Sequence, residues 1–157
     1  MRYSYKGALA ELVSYASSLG YVVDTASDKG YSYIDWVRES LNEPKVISIQ
    51  GNLSYEVRVY IMLHELGHHE IRKNWSKFGN LFPIMAHAEQ RKHVSNTRKF
   101  MRRDSYIVSS LQEEFMAWDE GLKLGLKLGI HLNMSKWVSF KSKCLKSYIR
   151  YYAQLRK

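Results

Sequence analysis

The chain is predicted to be an α+β protein in which a small antiparallel sheet leads into a series of helices. Three observations predict this. Apolar residues recur at helical spacing over Tyr5–Leu19 and in the stretches that follow Ser54, Ser110 and Asn133. Between the first two of these lie short runs rich in β-branched and aromatic residues, bounded by Gly, Asn and Pro. A hydrophobic content of 45% and a charged content of 25% over 157 residues suit one soluble domain with a real core, so residues 1–157 are expected to fold as a single domain.

The first helix places Ala8, Leu9, Leu12, Val13 and Ala16 on one stripe and stops at Gly20. Tyr21-Val22-Val23-Asp24 and the run from Tyr31 to Val37 read as two strands, with Ser27-Asp28-Lys29-Gly30 supplying hairpin turn chemistry between them. After the polar turn at Pro44, Lys45–Ile49 is a third strand with partial alternation, broken by Gln50-Gly51-Asn52. Ser54 is placed to cap a helix running from about 54 to 72.

From Lys73 to about Ser105 the periodicity fails. Asn74–Asn80 is turn-like, Pro83 interrupts a helix, and a helical piece over Ile84–Phe100 is open. Arg91, Lys92, Arg98, Lys99, Arg102 and Arg103 make this a basic excursion, either a lid or partner-binding element or a solvated linker. A strong helix resumes around Ser110 and continues through Gly121 to Gly129, frayed by its glycines. Ser135 is placed to cap a last helix, basic and amphipathic, that reaches about Gln154. Such a helix can bind a membrane surface or nucleic acid, but more often packs its apolar side on its own domain.

Charge is unevenly spread. Residues 1–90 hold 9 Lys/Arg against 10 Asp/Glu, and residues 91–157 hold 15 against 5. The basic half argues for a polyanionic neighbour, nucleic acid among them, or for an acidic protein; a solubilising surface is the plainer alternative. No stretch is long and apolar enough to span a membrane, and nothing near Met1 reads as a signal peptide. Cys144 is the only cysteine, so no intramolecular disulfide or Cys-based zinc site is available, and a reducing cytoplasm is the expected compartment.

The stretch that carries chemistry is His64-Glu65-Leu66-Gly67-His68. Two histidines four apart project from one helix face about one turn apart, so both can bind one ion. The glutamate beside the first can reach a water held there. This is the His-Glu-x-x-His pattern of zinc hydrolases, with Glu65 as general base and zinc as the expected cofactor. Ile61, Met62, Leu63 and Leu66 place the motif at the edge of a core, against a helix with merely solvated histidines, and Gly67 leaves room for another element. A hydrolytic zinc takes three protein ligands. A third histidine six residues after His68 is absent, since Asn74 stands there. Glu113 and Glu114, on the helix whose Phe115, Met116 and Trp118 demand burial, are the candidates, with His87, Glu89 or His93 as alternatives. Asp119 is a candidate to hold a ligand histidine's second ring nitrogen.

Leu63–His69, followed by Glu114-Phe115-Met116-Ala117-Trp118, resembles small zincin metallopeptidases, especially the compact phage and bacterial relatives of the ImmA/IrrE group. The resemblance covers the front sheet, the His-Glu-x-x-His helix and the later Glu helix. It implies His64 and His68 as metal ligands, Glu65 as catalytic base and Glu114, three before Ala117, as third ligand. The helical wheel agrees: Glu114 shares the apolar face of Ala117 and Trp118, whereas Glu113 lies nearer Glu120 and Lys123, a wetter position. The departures are a longer gap after His68, Trp118 where many relatives have Asn or Asp, and the basic last helix. The expectation is a zinc-dependent hydrolase of peptide or other amide bonds with a narrow protein substrate. The alternative is a nucleic-acid-associated or regulatory binding protein of the same fold with weak or no proteolysis.

Overall fold

A computed structural model describes residues 4–27, 33–35, 44–90 and 102–155. The protein is α+β and mostly helical. Its elements are α1 (Tyr5–Ser18), β1 (Val22–Ser27), β2 (Tyr33–Asp35), β3 (Val46–Gln50), α2 (Tyr55–Arg72), α3 (Trp75–Leu81), α4 (Pro83–Gln90), α5 (Asp104–Lys127) and α6 (Met134–Gln154). They pack into two compact units, Met1–Gly67 with Gly121–His131, and His68–Glu120 with Leu132–Lys157.

In the first unit, Ser4 caps α1 by accepting the Gly7 N–H at 3.1 Å, and Ala8, Leu9, Leu12 and Ala16 are its buried stripe. The sheet corrects the expectation of an antiparallel one. Its order is β1-β3-β2, with β1 parallel to β3 (Val22 beside Val46) and β2 antiparallel to β3 (Ile34 beside Ile47). No β1–β2 hairpin forms, because β3 lies between them; the turn expected at Ser27–Gly30 falls mostly outside the described residues. The reason is legible in β3 itself. Val46-Ile47-Ser48-Ile49 is a nearly continuous apolar run, and Ile47, Ser48 and Ile49 are all buried. A strand covered on both faces belongs in the middle of a sheet. Val22 of β1 is half exposed, as an edge position allows. Arg58 at the start of α2 donates to the Thr25 carbonyl of β1 at 3.0 Å and the Leu53 carbonyl at 3.1 Å, which ties the helix to the sheet.

Gly129 ends α5. It takes φ +70°, the Ile130 N–H reaches back to the Gly125 carbonyl (2.9 Å) and the Gly129 N–H to that of Leu126 (3.1 Å). This is a Schellman closure that a left-handed residue makes possible. The helix therefore runs unbroken over 24 residues, where fraying at Gly121 and Gly125 was expected. Gly121 has a packing reason: a Cβ there would run into the backbone carbonyl of Leu63.

In the second unit, the region expected to be irregular is partly helical. Asn74 is an N-cap, its side chain accepting the Lys77 N–H at 3.0 Å, and Pro83 opens α4 rather than breaking a helix. Phe78, Phe82, Met85 and Ala86 form a buried stripe across the junction and pack with Ile71 and Ala117. Residues 91–101 of the basic excursion, including His93, lie outside the described residues. Helix α6 is capped by Asn133, not Ser135, through the Lys136 N–H at 3.1 Å. Trp137, Leu145 and Tyr152 are buried in its own unit, while Met134, Val138, Ile149 and Tyr151 are exposed. Trp137 meets Trp118 edge-on at 5.1 Å, and Tyr152 shares a 2.6 Å hydrogen bond with Ser110.

Candidate metal centre

Helix α2 carries the motif without a break. Ser54 opens it, its carbonyl accepting the Arg58 N–H at 2.9 Å and its hydroxyl facing the Val57 N–H at 3.4 Å. Val59, Tyr60, Met62, Leu63 and Leu66 are buried, which fixes the rotation of the helix. His64 and Glu65 are buried as well, at 5% and 6% exposure, unusual for such polar side chains and in keeping with a site rather than a solvated face.

His64, His68 and Glu114 offer ligand atoms that all lie within 4.8 Å of one another, the one such group of three among the described residues. Two imidazoles and a carboxylate form the donor set of a hydrolytic zinc site, and this spread is compatible with ligands near 2.0–2.2 Å from a common ion. The Nε2 of His68 stands 3.5 Å from a Glu114 carboxylate oxygen. Its other ring nitrogen, Nδ1, is 3.1 Å from Glu113 Oε1. With the Nδ1 proton donated to Glu113, the lone pair of Nε2 is turned toward the cluster.

Glu113 therefore does not occupy the wet position expected of it. It is 2% exposed and held by Arg72, whose Nε donates to Oε1 at 2.5 Å and whose second terminal nitrogen donates to Oε2 at 2.8 Å. The third guanidinium nitrogen reaches Glu89 at 2.5 Å. Glu89 and Glu113 thus flank one half-buried cation, and Arg72 also lies over the Phe78 ring at 4.7 Å. Burial opposes the charge on Glu113, but hydrogen bonds from His68 and Arg72 outweigh it and hold the carboxyl below its ordinary range. Burial likewise opposes the imidazolium of His68, yet the Glu113 and Glu114 carboxylates lift its pKa to about 10. In the metal-free protein a proton occupies the ring that an ion would take over.

The other candidates are placed elsewhere. Glu89 serves Arg72, His87 is exposed on α4, and Asp119 is an exposed residue paired with Lys141 at 2.5 Å. Asp119 does not hold a histidine; Glu113 does. Reading the sequence missed Arg72, and with it the role of Glu89 and Glu113 as its partners. The signal was its position four residues past His68, on the same face of the helix. A cavity of about 340 Å³ in the second unit is lined by Glu70, Lys73, Lys77, Met116 and Glu120 among others. Glu70 lies two residues past His68, about 200° round the helix, so the cavity opens away from the ligand face. No protein-family model, curated protein or solved structure matches this chain.

Proposed function

We propose that the protein is a zinc-dependent metallopeptidase, with His64, His68 and Glu114 holding the ion and Glu65 as general base. The observation that carries this reading is the convergence within 4.8 Å of Glu114 of α5 with His64 and His68 of α2, the helix that also presents a buried glutamate beside the first histidine. When bound there, zinc supplies Lewis-acid polarisation of a scissile carbonyl and makes a water more acidic. The protein's own groups do the rest. Glu113 and Arg72 hold the His68 ring in one tautomer and one orientation, so that Nε2 keeps a lone pair for the ion. Glu65, which is not one of the three ligands, takes the proton of the attacking water on its carboxylate and delivers it to the leaving amine. The resemblance to small zincins points the same way and suggests a narrow protein substrate.

The test is paired. Protein purified without chelator should contain about one zinc per chain, and His64→Ala or His68→Ala should remove it. Glu65→Gln should keep zinc and fold while losing hydrolysis of an acidic-protein panel. Loss of zinc in Glu65→Gln, or full zinc in either histidine variant, refutes the assignment of roles.

A further inference from the structure

We propose that the outer face of α6 is a docking surface for the phosphate backbone of a duplex nucleic acid, a surface that does not depend on the metal site. The charge of the chain is segregated more sharply than its halves suggest. Residues 1–120 hold 15 Lys/Arg and 15 Asp/Glu; residues 121–157 hold 9 Lys/Arg and no acid, so the whole net charge of +9 lies past Glu120. Within α6 the basic residues divide. Lys141 is paired with Asp119 at 2.5 Å and lies over the Phe115 ring at 5.9 Å. Lys136, Lys143, Lys146 and Arg150 are exposed. At 100° per residue these four fall within an arc of about 80°, and at 1.5 Å per residue they make a stripe about 21 Å long.

A stripe of this kind is not what helix stability alone selects. Lys143, Lys146 and Arg150 are like-charge neighbours at i+3 and i+4, which weakens a helix, and no Asp or Glu of α6 relieves them. A linear polyanion does. Duplex nucleic acid carries about one charge per 1.7 Å of axis, so the stripe spans several phosphates. A lipid surface fits less well: an interfacial helix needs a continuous apolar face, and although Met134, Val138, Ile149 and Tyr151 of α6 are exposed, Trp137, Leu145 and Tyr152 are buried in its own unit.

The test uses the full-length protein and a labelled 25-base-pair duplex of mixed sequence, titrated over a range of salt. Each phosphate contact contributes about 0.9 to the slope of log affinity against log salt. Lys143→Gln/Lys146→Gln/Arg150→Gln should flatten that slope by about 2–3 and weaken low-salt binding at least tenfold, with a melting temperature no lower than that of wild type. Lys6→Gln/Lys73→Gln/Lys77→Gln removes the same net charge from elsewhere and should change the slope by less than 1. DNA and RNA duplexes, titrated in parallel, distinguish the two sources of the backbone. Equal losses in both variants, no binding of wild type at low salt, or binding to anionic vesicles but not to duplex overturns the proposal. Because the readout is binding, loss of zinc or of hydrolysis in Glu65 or histidine variants leaves it unaffected.

Discussion

Replacing Glu113 with glutamine isolates what a residue beside the proposed ligands does for them. Glu113 Oε1 accepts from both His68 Nδ1 (3.1 Å) and Arg72 Nε (2.5 Å), and Oε2 accepts from Arg72 at 2.8 Å. A glutamine keeps only one acceptor oxygen. If that oxygen stays toward His68, its amide N–H₂ faces a guanidinium N–H, and one charge-assisted bond is replaced by two opposed donors. Losing such a bond costs about 1.5–3 kcal/mol of stability. Weakening the partner of a ligand histidine costs about 10–100-fold in metal affinity, or about 1.4–2.7 kcal/mol. Glu114→Gln, which damages a proposed ligand itself, should weaken zinc more than Glu113→Gln. Chelator-competition titrations of wild type and both variants, beside thermal melts of the metal-free proteins, measure the two effects separately. Zinc affinity within twofold of wild type in Glu113→Gln, despite lower stability, would mean that Glu113 serves Arg72 alone. A larger loss in Glu113→Gln than in Glu114→Gln would move the ligand to Glu113.

Two further outcomes are expected. In metal-free protein, burial lowers the His68 pKa but the Glu113 and Glu114 carboxylates outweigh it, raising it from 6.5 to about 10. A raised value adds stability that is complete below about pH 6.5 and is lost as the pH climbs through about 10. Urea unfolding of chelated protein should follow that fall, and His68→Gln should flatten it; a flat wild-type profile refutes the pairing. Gly121→Ala forces a methyl group into the Leu63 carbonyl and should cost about 1–3 kcal/mol. A melting temperature equal to that of wild type would refute so close an approach of the two backbones.

The long periodic elements were legible because their signals are local. Helix α1 with its stop at Gly20, the Ser54 start of α2 and the buried side of α6 all follow from stripe and cap chemistry. The sheet was less legible. Partial alternation in β3 pointed to a one-sided strand, and the burial of Ser48 between two isoleucines decides instead for the central place. Asn74 and Pro83 were read as breakers because both residues have two meanings, and only the Phe78–Phe82–Met85 stripe tells a helix start from a turn. In the candidate site the motif on α2 was plain, whereas Glu113 was misplaced. A helical wheel ranks an acid by its apolar neighbours and has no means of counting an arginine 41 positions away in the chain.

The order β1-β3-β2 also bears on how the chain acquires its shape during synthesis. β3, the last of the three strands to leave the ribosome, is the one on which both others depend. Ile34 and Ile47 pair across 13 positions of chain, while Val22 and Val46 pair across 24. The shorter loop costs less entropy to close, so β2 and β3 can meet first and β1, bringing α1, joins a pair already made. Until Gln50 has been made the chain holds β1 and β2 with no β3 to pair with, and this interval is where those two strands are most exposed to wrong partners.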